Sequence, residues 1–228
     1  MTSFSAEILR FEPDDKKHAY AVLSQTAFHP KSGGQPSDRG TLSSLSGELS
    51  IKKVMMTRGV VVHWGKMSWG DRLEGQVEGK LDFGWRSLLM RRHTAGHLLD
   101  NCIGTVTKVR VKTTDSWLEG PCWVGYIGNP PSQEQLTQIE AMANRLILEG
   151  RAVTAENVSK EDLMRRAPDA PNIARLPDDL EFRLVTIEGQ KSIPCGGTHV
   201  RDISEIRSVK ISKVELVSQG YRISYEVS

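Results

Sequence analysis

His93 and His97 stand four residues apart in HTAGHLLD, a spacing that puts two imidazoles on one face of a helix about one turn apart. Cys195 and His199 repeat the interval in PCGGTHV, where two intervening glycines let the backbone fold back tightly so that a thiolate and an imidazole can converge on one point. Together the two pairs offer three nitrogens and one sulfur, the set that borderline-soft zinc prefers in tetrahedral geometry, which gives one Zn2+ per chain. An ordinary helix surface would account for the first pair alone, and a small buried cysteine with a solvated loop histidine for the second; their joint presence favours a metal. The other histidines, His18, His29 and His63, lie in the N-terminal half with no cysteine nearby. A thermolysin-type zinc peptidase is disfavoured, because its general base is a Glu directly after the first histidine and this chain has Thr94 there.

About a hundred residues separate the two pairs, so the fold must assemble the site. The positioning elements read as α+β. From about residue 4 to 80, strand-like runs such as AYAVLSQTAF, LSIKKVMM and GVVVHWG are punctuated by Gly, Pro and Ser, which suits a small β-barrel. Beyond LDFGW, Asp82 can cap a helix carrying the first histidine pair, with Gly104 as its expected stop and Gly96 as an internal weakness. Ser132 and Gln135 form a capping box for a second helix, whose stripe is Leu136, Ile139, Ala143, Leu146 and Ile147 and whose end is Gly150. RAVTAENVS reads as a strand, SKEDLMRRAP as a short helix, EFRLVTIEG as a strand leading to PCGGTHV, and the last twenty residues as a hairpin about SQG. The expected division is a β-barrel domain at 1–81, carrying the loop SGGQPSDRG, and a zinc-binding α+β domain with an antiparallel sheet at 82–228.

With 30 Lys and Arg against 28 Asp and Glu in 228 residues, the net charge of +2 is too weak for a protein that coats nucleic acid nonspecifically. Three scattered cysteines do not make a disulfide framework, and no run of 18 uncharged apolar residues occurs. A soluble, cytoplasmic protein with no membrane partner is expected. Of the basic pairs Lys16-Lys17, Lys52-Lys53, Arg91-Arg92 and Arg165-Arg166, only Arg91 and Arg92, beside the first histidines, stand out as candidate contacts to nucleic-acid phosphates; a solvated face explains the rest.

HTAGHLL, PCGGTHV and FHPKSGGQPSDRG followed by VVVHWG, taken together and in this order, resemble the editing domain of alanyl-tRNA synthetase and its free-standing relatives, the AlaX proteins. Editing domains of threonyl-tRNA synthetase share a related His/Cys site but not the SGGQPSDRG loop. The chain is too short to hold an aminoacylation core as well, and so is similar to the medium-length trans-editing form. His29 departs from the family pattern, standing where Tyr is usual.

The resemblance implies hydrolysis of the ester joining serine or glycine to the 3′-terminal adenosine of alanine tRNA. Zinc can polarise an ester carbonyl or lower the pKa of bound water to roughly 7, so no separate side-chain base is assigned. Four protein ligands also close a tetrahedron, as in structural zinc. Either the ion expands to five-coordinate, or one ligand is loose, or zinc mainly orients the substrate. The alternative function is a non-catalytic tRNA-binding module with a structural zinc. The resemblance also places the SGGQPSDRG loop at serine recognition, which makes Gly33, Gly34 and Gln35 substrate-binding candidates, with Asp38 and Gly40 shaping the loop. Thr94 either faces the substrate or caps its own helix.

Overall fold

The computed structural model describes residues 2–177 and 181–228. They form two compact units, one comprising the chain up to Ser32 with Pro36–Leu88, the other Gly33–Gln35 with Leu89–Ser228.

The first unit is a closed antiparallel barrel built from β1 (Ser3–Pro13), β2 (His18–Leu23), β3 (Gly40–Ser43), β4 (Gly47–Thr57), β5 (Val60–Gly70) and β6 (Gln76–Leu81). Its strands are hydrogen-bonded in the order β1-β2-β5-β4-β3-β6, and β6 returns to β1 through the pairing of Ser3 with Lys80. Alternation writes the barrel. In β6, Val77, Gly79 and Leu81 point inward while their neighbours face out. Ala19, Ala21, Leu42, Leu49, Ile51, Val54 and Met67 fill the interior from the other strands. The opening strand β1 is an addition to the runs read from the sequence, and AYAVLSQTAF stops being strand at Leu23. After β2 the chain turns inward instead, burying Phe28, and the carboxylate of Asp38 accepts from the His29 amide and pairs with Arg86.

His63 is buried inside this barrel. Its Nδ1 donates to the Ala21 carbonyl at 3.2 Å, so its Nε2 accepts the Thr26 hydroxyl at 2.9 Å. Burial pushes its pKa from 6.5 down to about 4, against the opposing hydrogen bond to Ala21. The unfolded chain therefore binds a proton as pH falls through 6.5, whereas the folded barrel resists until about 4. This contribution to stability is complete above the upper value and is lost as pH falls towards the lower one. Between pH 7 and 5 the loss amounts to about 2 kcal/mol. Urea unfolding at both pH values checks it: His63→Gln should remove that part of the pH dependence, and an unaltered dependence would contradict the assignment.

The second unit holds most of α1 (Phe83–Thr107), then β7 (Thr113–Trp117), β8 (Trp123–Ile127), α2 (Gln133–Glu149), β9 (Val153–Ser159), α3 (Lys160–Arg166), β10 (Glu181–Ile187), β11 (Ile193–Pro194), β12 (Val209–Val217) and β13 (Gly220–Val227). Asp82 caps α1 by accepting from the Trp85 amide at 3.0 Å. The helix does not stop at Gly104. It runs to Thr107 and ends at Lys108, which turns to φ 59°, because a glycine inside a packed helix is an energetic cost and not a terminator. Gly96 is tolerated because the Tyr225 hydroxyl sits where a side chain would be; a Cβ there would lie 2.9 Å from it.

α2 follows its sequence signals closely. Ser132 and Gln135 complete the reciprocal box, all five stripe residues are buried, and Gly150 caps the end at φ 71°. Its polar edge is tied to β12, since Asn144 exchanges hydrogen bonds with the Val209 backbone at 2.8 and 3.0 Å. Two antiparallel sheets, β12-β13-β8-β7 and β11-β10-β9, complete the α+β unit. The pair β7 and β8 is a further addition to the sequence reading. Among the described residues no helix is long and apolar enough to cross a membrane.

Candidate metal centre

α1 delivers His93 and His97 from adjacent turns, and the loop after β11 delivers Cys195 and His199. One ligand atom from each of the four lies within 4.8 Å of the others, so the cluster could hold a single metal ion. The loop is held from below: Arg183 on β10 donates to the carbonyls of Cys195 at 2.9 Å and Gly197 at 2.7 Å, and the Cys195 amide donates back to the Arg183 carbonyl at 2.8 Å. Asn172 fixes the preceding Pro194 carbonyl at 2.7 Å. Gly197 is required by space, because a Cβ there would lie 2.1 Å from His93 Cε1.

The outward nitrogens of the three imidazoles decide whether the inward ones are free to bind a metal. Gln35 Oε1 takes the Thr198 amide at 3.0 Å and is therefore an acceptor, so His93 Nδ1, 2.8 Å from the same oxygen, carries its proton. The Thr94 hydroxyl donates to the Met90 carbonyl at 2.8 Å and accepts from the Val200 amide, so at 3.3 Å it accepts from His199 Nδ1 as well. His97 Nδ1 lies 3.8 Å from the carboxylate of Asp100. All three rings thus present an unprotonated Nε2 inward in their neutral form, the state that binds metal. His93 Nε2 lies 3.3 Å from Cys195 Sγ, and the buried Nε2 atoms of His97 and His199 have no hydrogen-bond partner. Buried nitrogens with nothing to bond are costly in protein alone, and a cation between them would satisfy both.

The electrostatics agree. Burial opposes ionisation of the Cys195 thiol, but the attraction of the three surrounding imidazoles, His93 foremost, overcomes it and holds the pKa well below the ordinary thiol value. Burial depresses His199 to about 3, keeping it neutral. His97 is the exception: burial lowers it, yet Asp100 and Cys195 raise it to about 10, so filling the site displaces a proton from this ring.

The other residues singled out from sequence occupy less direct positions. Gln35 has no exposed surface, and its amide is spent on His93 and Thr198, the latter through Nε2 to Oγ1 at 2.9 Å. Thr94 does not cap α1, since it lies in the interior of the helix; its fully buried hydroxyl donates to the Met90 carbonyl one turn back and accepts from His199. Gly33 and Gly34 form a turn at φ 53° and 82°, with the Gly34 carbonyl accepting from the Leu118 amide at 3.1 Å. Arg92 donates to the Leu118 carbonyl at 2.8 Å, and Arg91 to that of Ser228, so both guanidinium groups brace backbone. Asp100 and Arg183 are the site residues that carry no local signal in the sequence; Gly197 is half of the Gly-Gly that lets the loop fold back.

The profile described as tRNA synthetases class II (A) matches residues 5–83, and that described as threonyl and alanyl tRNA synthetase second additional domain matches residues 182–223, which include Cys195 and His199. An alanine-tRNA ligase of Prochlorococcus marinus is 31% identical over 92% of this chain but only 24% of its own length, so the chain spans about a quarter of such ligases. An alanyl-tRNA editing protein AlaX-M of Methanosarcina acetivorans is 30% identical over 93% of this chain and 89% of its own. Its namesake from Methanosarcina barkeri is 31% identical over 99% and 93%. With nearly full mutual coverage by these free-standing relatives, this chain belongs to the AlaX-M family of alanyl-tRNA editing proteins.

Proposed function

We propose that this protein is an aminoacyl-tRNA hydrolase that removes serine, and also glycine, wrongly esterified to alanine tRNA, with one zinc ion held by His93, His97, Cys195 and His199. The observation that carries the reading is the convergence of these four donors within 4.8 Å, with every histidine facing an outer polar partner. A thiolate with three imidazoles suits zinc better than the oxygen-seeking cations. Bound there, zinc supplies the Lewis acidity that activates water and the ester carbonyl without a side-chain base.

The chain's own residues supply position and selectivity. Gln35 and Thr94 orient two of the ligand rings. The Gly33-Gly34 turn offers backbone with no side chain in the way, against which a serine hydroxyl can be hydrogen-bonded. A site that bonds that hydroxyl rejects alanine strongly, because its polar groups would be left unpaired by the methyl. Glycine can enter but gains nothing from the contact. The expected order of cleavage is seryl-, then glycyl-, then alanyl-tRNA. Deacylation time courses on the three charged forms of alanine tRNA test this. Zinc-loaded protein that binds the tRNA but never releases serine would overturn the hydrolase and support a binding module.

A further inference from the structure

We propose that Asp100, anchored by Tyr126, is a positioning residue for His97, completing an outer shell in which each ligand histidine has its own acceptor; the inference rests on the metal site just described. Asp100 lies one turn beyond His97 on the same face of α1, with its Oδ2 3.8 Å from His97 Nδ1. Its Oδ1 accepts from the Tyr126 hydroxyl at 2.8 Å. Tyr126 is itself fixed: it is 1% exposed on β8, and its ring stacks on Tyr221 with centroids 5.2 Å apart. A rigid strand residue thereby orients a helix carboxylate, which faces the proton of a ligand ring.

The chemistry of the three acceptors differs. His93 and His199 face the neutral oxygens of Gln35 and Thr94, while His97 faces a carboxylate. Asp100 is 6% exposed in the middle of a helix, an unfavourable place for a carboxylate that makes no use of its charge. A phenol alone would be served as well by a neutral side chain. Facing an imidazole, the charge fixes the ring's tautomer and makes its inward nitrogen a stronger donor to a metal. The Asp100–Tyr126 pair belongs to the fold of the second unit, since α1 and β8 supply it without any help from the Cys195 loop.

The test is zinc affinity, measured by competition with a chromophoric chelator on the full chain, together with the visible spectrum of the cobalt-substituted protein. Replacing an outer-shell partner of a ligand histidine commonly weakens metal binding about 10- to 100-fold. Asp100→Ala should fall in that range, Asp100→Asn nearer its lower end, and Tyr126→Phe, which loosens the carboxylate without removing it, should lose less. The cobalt bands of the Asp100 variants should shift, and metal-free thermal stability should change far less than metal affinity. A passive core role predicts the reverse, namely lowered metal-free stability with unaltered affinity and spectrum, and that result would overturn the proposal. Should Asp100→Ala not fold, Asp100→Asn and Tyr126→Phe decide by the same criteria. Parent protein that binds no zinc at all would sink the site itself, whereas parent and Asp100 variants binding zinc equally would sink only the role of Asp100.

Discussion

Cys195→Ala combined with His199→Ala is expected to leave the protein without zinc and without serine release above background. Four-donor zinc sites bind with about 10–16 kcal/mol of apparent free energy, roughly 3 kcal/mol per donor if shared evenly. Losing two donors then weakens binding by about four orders of magnitude, enough for dialysis to strip the ion. Only His93 and His97 would remain, two neutral donors on one helix with no thiolate to join them. Gly197→Ala should move in the same direction while leaving all four donors in place. Its new Cβ would lie 2.1 Å from His93 Cε1 and 2.4 Å from Nδ1, and the ring cannot retreat without breaking its bond to Gln35. Metal analysis after dialysis reads both variants. Full zinc content in the double variant would exclude these residues as the site; full content in Gly197→Ala would show that the loop shifts to spare His93.

The donors were legible because each pair is local. Four residues on a helix, or four about two glycines, fix relative geometry without any knowledge of the fold. What they meet was not legible. Gln35 and His93 are separated by 58 positions and Tyr126 and Asp100 by 26, and no periodicity links a loop amide to a helix imidazole. In sequence Gln35 stands out for its capacity to bond a ligand, yet in the structure that capacity is used on a protein ring. The fold divides the same way. Strong patterns gave α2, β9, β10 and the closing hairpin at nearly their true bounds. The pair β7 and β8 escaped because β7 is short, polar and interrupted by a register shift between Thr113 and Ser116, which destroys alternation. Gly104 misled as a stop because α1 is held by buried Leu98, Leu99, Cys102 and Ile103 on its inner face, and packing overrides the local cost.

Gly34→Val is expected to depress seryl-tRNA cleavage about 100-fold or more, while Gly33→Ala costs tenfold at most. The two glycines look equivalent in sequence and differ in their surroundings. At Gly34, φ is +82° and a Cβ would lie 2.2 Å from the Ser116 carbonyl oxygen, a backbone atom of β7 that can yield only if the strand moves. A β-branched side chain adds its own strain in that conformation. At Gly33, φ is +53° but a Cβ meets nothing within 4 Å, so Ala there bears conformational strain alone, about 1 kcal/mol. A displacement of about 1 Å in a group that positions substrate is enough for a 100-fold loss. Because Gln35 follows Gly34 and holds His93, zinc affinity in Gly34→Val should also fall, so rates are compared at saturating zinc with metal content verified. Under those conditions the selective loss is of serine cleavage, since alanyl-tRNA makes no hydroxyl contact to lose. Seryl-tRNA cleaved by zinc-loaded Gly34→Val at the parent rate would remove the loop from substrate recognition and leave the metal cluster as the whole of the site.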